Sequence, residues 1–212
     1  MIVAICGGGN LGHTIAGVLS KKAHTVNLLT SNPAKWNNEI IIEDCTGKSF
    51  YGKINKMSSR PEDIIPGSRL VILCVPGFFW IAKSILGKNA KLIGFQRVPF
   101  ISRVQKYGKT AGITGRRPLL KIAFINCTKT DQWKESFENS FDTPTTVLSH
   151  YLEAALSNSN PILHPSRLFG MFRSWNPALS YKNVPFFYAD WDEYSSEILI
   201  SADNEFQTLL VH

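Results

Sequence analysis

Long apolar runs are scarce in this sequence. The longest one, residues 70–82, is interrupted by Pro76-Gly77 and is too short to span a bilayer. No charged leader precedes an apolar segment, since strand-forming residues begin at Ile2. We therefore expect a cytoplasmic protein that has no membrane partner.

Cysteine is equally sparse. The four cysteines, at positions 6, 45, 74 and 127, lie far apart and form no C-x-x-C pair. Three of them fall in strand-like runs. We expect reduced thiols inside the protein and no metal site.

Dense blocks of positive charge are also missing, although the formal net charge is +7 and the pI is about 9.3. The basic residues are scattered, with doublets at Lys21-Lys22 and Arg116-Arg117 alone. Residues 106–117 are basic and glycine-rich, but Tyr107 is their single aromatic residue for base stacking. We interpret this stretch as a solvated turn region and expect no nucleic-acid partner. Attraction of anionic cofactors and substrates explains the charge equally well.

The start of the chain has the pattern of a strand, a glycine turn and a helix. Ile2–Cys6 is apolar and strand-forming, and Gly7, Gly9 and Gly12 satisfy G-x-G-x-x-G. In this motif the glycines permit a tight turn, a close backbone approach to a pyrophosphate and close helix–strand packing. An anion then binds free N–H groups at the helix N-terminus. We predict a dinucleotide-binding turn formed by Gly7, Gly9, Asn10, Leu11 and Gly12; the alternative is a flexible loop between core elements.

The end of the second predicted strand, residues 25–30, bears on the choice of cofactor. An NAD site of this type usually has Asp or Glu here, where it accepts a hydrogen bond from the ribose 2′-hydroxyl. This chain has Thr30, Ser31 and Asn32, then Lys35, and no acid before Glu39. We expect Thr30, Ser31 and Lys35 to bind a 2′-phosphate, which favours NADP over NAD as cofactor. The alternative is a solvated turn.

Residues 70–75 form a continuous apolar run, which is typical of a central parallel strand buried on both faces. Ligands of doubly wound sheets bind at the carboxyl ends of the strands. We therefore expect Val75, Pro76 and Gly77 to line the nicotinamide side of the cleft, unless they merely end the strand. A short apolar helix is predicted over residues 78–86.

Further strands are predicted at residues 40–44, 49–54, 91–94 and 119–125. Thr143-Pro144 then has the pattern of a helix start, and the composition becomes helical. The predicted fold class is α/β, with a Rossmann-type, doubly wound, mostly parallel sheet in residues 1–142. Residues 143–212 are expected to begin an α-helical substrate domain.

Among five histidines, His164 alone falls in a predicted turn between two prolines, Pro161 and Pro165. A helix begins either at Asn160 or at His164, so the imidazole lies near a helix N-terminus, whose dipole disfavours the charged form. Histidine is the side chain best suited to exchange a proton near neutral pH. His164 is therefore the candidate acid/base, and a structural histidine is the alternative.

The run Leu156–Pro165 resembles the signature of the opine dehydrogenases, the octopine/nopaline dehydrogenase family. Residues 7–10, 75–78 and 94–100 are similar to other stretches of that family, so the resemblance covers nearly the whole chain. These enzymes join the amine of an amino acid to a 2-keto acid and reduce the imine with NAD(P)H. The resemblance implies that His164 donates and accepts the proton at the keto or imino carbon, while Asn160 helps to hold the reacting groups.

The sequence departs from the family in one respect. Family members continue into a helical domain that supplies an acidic partner for the histidine, and only a short segment follows His164 here. Asp190, Asp192 and Asp203 do not match that acidic position. An amphipathic stripe also continues to the last residues without a stop signal. We expect a product that lacks much of the C-terminal domain, or a helix completed by another chain.

Three functions remain open from the sequence. The first is an NAD(P)H-dependent opine dehydrogenase-like oxidoreductase that joins an amino acid to a 2-keto acid. The second is a related 2-keto-acid reductase that forms no C–N bond. The third is a dinucleotide-binding module without catalysis. The identities of the keto acid and the amino acid stay open, as does the oligomeric state, a homodimer included.

Overall fold

The computed structural model describes residues 1–74, 91–157, 159–178, 180 and 182–210. The predicted wall of Val75, Pro76 and Gly77 and the predicted helix 78–86 lie outside the described residues. Contacts divide the chain into two compact units, Met1–Ala155 and Leu156–His212. Among the described residues, no helix has both the length and the apolar character needed to cross a membrane.

The first unit contains every strand of the described residues. These are β1 Ile2–Cys6, β2 Thr25–Leu29, β3 Glu39–Glu43, β4 Ser49–Ser58, β5 Leu70–Leu73, β6 Leu92–Phe95, β7 Phe100–Lys106, β8 Thr110–Arg116, β9 Leu120–Ile125 and β10 Thr145–Val147. The helices along the chain are α1 Asn10–Lys21, α2 Pro61–Ile64, α3 Thr130–Phe141, α4 Tyr151–Leu156, α5 Asn160–Phe172 and α6 Glu193–Leu210.

Seven strands form one mixed sheet in the order β5-β1-β2-β4-β3-β8-β7, and three form a second sheet in the order β10-β9-β6. The pairs β5–β1, β1–β2 and β2–β4 are parallel. Antiparallel pairing joins β3 to β4 and β7 to β8, while β3 and β8 are parallel. This arrangement confirms the predicted α/β class.

The core of the first unit is apolar and lies where α1 packs on the sheet. Branched side chains suit a pleated surface, which explains why β1 and β2 bury almost every residue. The helix adds a stripe at helical spacing. Residues that are at most 4% exposed include Val3, Ile5, Ile15, Val18, Leu19, Val26 and Leu28.

The predicted central strand, β5, is parallel as expected but is not central among the described strands of its sheet. β5 pairs with β1 in parallel and stands at the end of the seven-stranded order in the described part of the chain. Its side chains are half-buried or exposed, with Val71 and Leu73 at 37% and 36%. Apolar composition alone does not tell a central strand from the last strand of a sheet.

Two local predictions are wrong. Residues 106–117 are not a turn region, because most of them belong to the β7–β8 hairpin. Thr143-Pro144 does not start a helix, since Thr145 pairs with Leu120 as β10 joins β9 in parallel. The β-branched run Thr145–Val147 favours a strand once a partner is present. This pairing keeps residues 145–147 in the first unit, whose boundary with the second unit falls after Ala155.

Candidate functional site

The three motif glycines have three different environments. Gly7 has φ +120°, a conformation that favours glycine, and its N–H donates to the Leu29 carbonyl at 3.0 Å. A Cβ atom at Gly12 would lie 1.8 Å from the Gly7 carbonyl oxygen, so only glycine lets α1 start this close to the turn. A Cβ at Gly9 would meet no heavy atom within 4 Å, which leaves that side open. A dinucleotide-binding turn requires this combination.

The N-terminus of α1 suits an anion. Gly9 is its N-cap residue, no side chain caps it, and its first turn contains no acid. The first N–H groups of a helix have no acceptor within the helix, and the helix dipole adds partial positive charge there. The side chain of Asn10 is engaged elsewhere, because its Oδ1 accepts the Val104 N–H at 2.8 Å. The backbone at Asn10 and Leu11 therefore fits a phosphate group, as the motif predicts.

The end of β2 lies against the glycine turn. Thr30 is 4% exposed, and its N–H donates to the Ser58 carbonyl at 3.0 Å. Its Oγ1 is 3.0 Å from the hydroxyl of Tyr107. A Cβ at Gly8 would lie 2.5 Å from Thr30 Oγ1 and 2.9 Å from the Tyr107 hydroxyl. Gly8, Thr30 and Tyr107 thus form one packed contact, although the sequence analysis assigned no role to Gly8 or Tyr107.

The other two residues predicted to bind the 2′-phosphate lie on the surface. Ser31 and Lys35 are exposed, and Lys35 ends a short 3₁₀ turn, Pro33–Lys35. Thr30 lies behind them, with its hydroxyl bonded to Tyr107. The structure therefore brings Thr30 to the glycine turn and leaves Ser31 and Lys35 accessible beside it.

A buried histidine connects the glycine turn to the β7–β8 hairpin. His13 Nδ1 donates to the Gly9 carbonyl at 2.9 Å, because its Nε2 accepts the Gly108 N–H at 2.8 Å and so carries no proton. The ring stacks on Trp36 with 3.9 Å between centroids. Burial lowers the pKa of His13 below its ordinary value, against the opposing effect of its bonds to backbone. The imidazole is held neutral as a structural clamp.

Cys74 follows β5 and packs beside the first motif glycine. A Cβ at Gly7 would lie 3.2 Å from the Cys74 carbonyl oxygen. Burial raises the pKa of the Cys74 thiol to about 12, so the sulfur stays protonated at neutral pH. The thiol acts here as a small apolar group rather than as a nucleophile.

The second unit holds the predicted acid/base. α5 begins at Asn160, with Pro161 in its first turn and Pro165 inside it. His164 therefore lies within the helix and not in a turn, and the first of the two predicted helix starts is the observed one. Because Asn160 and His164 are four residues apart, they share one face of α5. His164 Nε2 is 3.1 Å from the Tyr188 hydroxyl, and its ring meets the edge of Phe187.

One arginine holds the segment that carries Tyr188. Arg167 is 1% exposed, and its Nε donates to the Phe187 carbonyl at 2.8 Å. Its Nη2 donates to the carbonyls of Phe186 and Asp190 at 3.1 and 2.6 Å, and its Nη1 donates to Ser195 Oγ at 3.2 Å. We call residues 186–192 the arginine loop, because one planar guanidinium fixes its course. Nothing in the sequence analysis pointed to Arg167.

The nearby carboxylates are engaged within this loop. Asp190 Oδ2 accepts the Phe186 N–H at 2.8 Å, and Asp192 Oδ1 accepts the Ser195 N–H at 2.7 Å. Hydrogen bonds from the Ser195 side chain and backbone lower the pKa of Asp192. Both carboxylates therefore stabilise the loop and the start of α6.

A cavity of about 750 Å³ opens beside the arginine loop. Its wall combines basic groups, the two loop carboxylates and apolar side chains: Arg167, Gly170, Met171, Arg173, Ser174, Lys182, Asn183, Val184, Pro185, Phe186, Asp190 and Asp192. Such a mixed wall suits a small molecule that carries both charges and an apolar part.

Comparison with known proteins identifies a family that this chain resembles. The model of the family described as NAD/NADP octopine/nopaline dehydrogenase, alpha-helical domain, matches residues 147–211. The octopine dehydrogenase of Pecten maximus is 23% identical across 96% of this chain. The chain spans 62% of the length of that relative.

Solved structures show the same fold. An octopine dehydrogenase with NADH and pyruvate matches 98% of this chain and 64% of its own, at a TM-score of 0.75 and 22% identity. A yersinopine dehydrogenase bound to NADP+ matches 87% of this chain and 58% of its own, at a TM-score of 0.66 and 11% identity. The Rossmann-type fold is thereby confirmed. The likeness of this chain to the opine dehydrogenase family, which its motifs predict, is confirmed in sequence and in fold.

Proposed function

We propose that the protein is an NAD(P)H-dependent oxidoreductase of the opine dehydrogenase type. The geometry of the glycine turn is the observation that carries this proposal. Its turn conformation, close helix start and open side fit a pyrophosphate, and the uncapped helix N-terminus offers it N–H donors. Two relatives in sequence are named octopine dehydrogenases, which supports this proposal.

The first unit binds the cofactor through its backbone. Gly9, Asn10 and Leu11 present N–H groups to the phosphates, and Gly12 keeps α1 close enough to do so. The bound nicotinamide supplies a hydride for the imine carbon. Ser31 and Lys35, exposed at the end of β2, take the 2′-phosphate and favour NADP(H) over NAD(H).

The second unit supplies the proton chemistry. An amino acid and a 2-keto acid condense to an imine with loss of water, and the imine then gains a hydride at carbon and a proton at nitrogen. His164, half-buried on α5, provides and accepts these protons, since histidine is the side chain that most often serves as a general acid or base. Asn160, on the same face of α5, holds the reacting carboxylate or carbonyl through its amide.

The experiment separates binding from chemistry. Titration of intrinsic fluorescence with NADPH and NADH measures cofactor affinity, and we expect NADPH to bind more tightly. A reductive condensation assay with pyruvate and a panel of amino acids then measures turnover. In a chain with a complete helical domain, His164→Asn should leave cofactor affinity unchanged and lower turnover by about 10²- to 10⁴-fold, the usual worth of a positioned acid/base. His150→Asn, at an exposed histidine outside α5, is the control that should change neither.

Each outcome decides between the functions. Full turnover of the His164→Asn variant would exclude the histidine as acid/base. Reduction of a keto acid without any amine would show a keto-acid reductase instead. In a chain with a complete helical domain, tight cofactor binding without turnover on any substrate pair would show a dinucleotide-binding module. A chain that binds neither nucleotide would contradict the proposal as a whole.

A further inference from the structure

Two hairpins of the first unit, β3–β4 and β7–β8, end at opposite edges of the sheet. β4 runs parallel to β2, and its last residue Ser58 pairs with Leu29 at the carboxyl end of β2. β3 runs antiparallel to β4, so the turn between them, residues 44–48, lies at the other edge. β8 runs parallel to β3 with Thr110 opposite Ile41, which places the β7–β8 turn near the start of β3. Residues 106–109, the hairpin tip, therefore lie at the edge where Rossmann-type sheets bind ligands.

Direct contacts fix the hairpin tip on the glycine turn and on the segment after β2. The Tyr107 hydroxyl meets Thr30 Oγ1 at 3.0 Å, and the Gly108 N–H donates to His13 Nε2 at 2.8 Å. Gly108 has φ +70°, and a Cβ there would lie 2.2 Å from the Lys35 carbonyl oxygen. Its carbonyl accepts the Asn37 N–H at 2.9 Å. The tip is thus seated on the backbone of Lys35, the residue predicted to bind a 2′-phosphate.

The hairpin tip carries positive charges that form no ion pair in the described part of the chain. Lys106 and Lys109 flank Tyr107-Gly108, and both are exposed, as is Lys35. In the described ranges none of these three lysines takes part in an ion pair. Three like charges on neighbouring backbone repel one another, and a doubly charged phosphate between them would relieve that repulsion.

We propose that Lys106 and Lys109 bind the 2′-phosphate of NADP(H) together with Lys35. This inference rests on the proposed function, since it extends the cofactor site of the first unit. The adenosine end of the site is then built from two segments that are distant in the sequence, the end of β2 and the hairpin tip. Tyr107 is a positioning residue, because its hydroxyl holds the tip against Thr30.

The test compares two hairpin turns on one protein. The double variant Lys106→Ala/Lys109→Ala removes the tip charges, and Lys48→Ala removes an exposed lysine from the β3–β4 turn at the opposite edge. Fluorescence titrations with NADPH, NADH and 2′,5′-ADP give the affinities. We expect the double variant to lose about tenfold in affinity for NADPH, as for charge-assisted hydrogen bonds that are partly solvated. The double variant should lose affinity for 2′,5′-ADP by a similar factor and keep its affinity for NADH. Lys48→Ala should change none of the three affinities.

A second variant tests the positioning of the tip. Tyr107→Phe keeps the ring and all lysines but removes the hydroxyl that meets Thr30. We expect a loss of affinity for NADPH that is smaller than in the double variant and larger than any loss for NADH. Equal NADPH affinity of the wild type and the double variant would overturn the inference and leave the proposed function standing. A wild type that binds neither dinucleotide would instead overturn the proposed function.

Discussion

The glycine turn and the arginine loop are held in place by opposite means. Residues 7–12 depend on missing side chains: backbone fills the space that a Cβ at Gly12 would need, and the turn requires the φ of Gly7. Residues 186–192 depend on one large side chain, because the guanidinium of Arg167 satisfies three backbone carbonyls. The first region is thus specified by local sterics, and the second by hydrogen bonds from a distant residue.

This difference determines how each region tolerates change. A turn built on glycine fails when atoms are added, since the neighbouring backbone cannot move away cheaply. A loop built on a buried arginine fails when donors are removed, because its carbonyls then stay buried without partners. Paired variants that add atoms to one region and remove donors from the other therefore test the comparison directly.

The largest expected loss of stability follows from a substitution at Arg167. Arg167→Met keeps much of the side-chain volume but removes every donor to the arginine loop. We expect a loss of about 4 kcal/mol in the free energy of unfolding of the second unit. Hydrogen exchange over residues 160–172 and 186–196 measures it. Arg173→Met, at an exposed arginine just after α5, is the control and should cost no more than about 0.5 kcal/mol. Unchanged protection in Arg167→Met would show that the loop holds without its arginine.

The next effect is at the glycine turn. Gly12→Ala places a methyl group 1.8 Å from the Gly7 carbonyl oxygen, so α1 or the turn must shift. We expect a loss of about 3 kcal/mol in the free energy of urea unfolding, together with weaker cofactor binding. Gly9→Ala is the matched control, because its Cβ meets nothing within 4 Å and its φ of −84° suits any residue. Equal stability of the two alanine variants would contradict the steric account.

The same contrast explains which features could be predicted from the sequence. The strand–turn–helix start and the parallel β1, β2 and β5 follow from local spacing and apolar runs, and the structure contains them. The contact of Tyr107 with Thr30 joins residues 77 positions apart and leaves no local signal. Burial alternates along β7, but its sequence does not, because Ser102 is buried and Ile101 is exposed. The basic and glycine-rich composition of residues 106–117 therefore suggested a turn region. Backbone carbonyls have no residue-type signature, so the role of Arg167 was out of reach.

A smaller effect is expected for an arginine that pairs with a carboxylate. Arg116, at the end of β8, donates to both carboxylate oxygens of Asp44, and this bond lowers the pKa of Asp44 from 3.8 to about 2. Asp44→Asn should cost about 2 kcal/mol at pH 7, the equivalent of that shift. A depressed carboxyl pKa stabilises the fold above the unfolded value, and the stabilisation is lost as the pH falls from about 3.8 toward about 2.

Urea unfolding at pH 7 and at pH 3 measures this pH dependence. The difference between wild type and Asp44→Asn should shrink at the lower pH, because the Asp44 carboxyl of the unfolded chain takes up a proton below about 3.8. The cost of Arg167→Met should decline less over this range, since three partners of Arg167 are carbonyls that do not titrate and only Asp192, 3.6 Å from Nη1, is a carboxylate. A difference at Asp44 that stays constant between the two pH values would contradict the ion-pair account.

The smallest expected effect concerns His13, the histidine whose ring hydrogen-bonds to the glycine turn. Burial lowers its pKa, so the folded state binds this proton less readily than the unfolded state. The stabilisation is complete above the ordinary value of 6.5 and is lost progressively as the pH falls below it.

Protonation of His13 would also replace the acceptor Nε2 with a donor facing the Gly108 N–H, which would release the hairpin tip from the turn. We therefore expect the His13 ring signal in a two-dimensional NMR titration to keep its Nδ1–H form at neutral pH and to titrate below 6.5, while cofactor affinity weakens over the same interval. A His13 signal that titrates at or above 6.5 would show that the imidazole is not the clamp between glycine turn and hairpin.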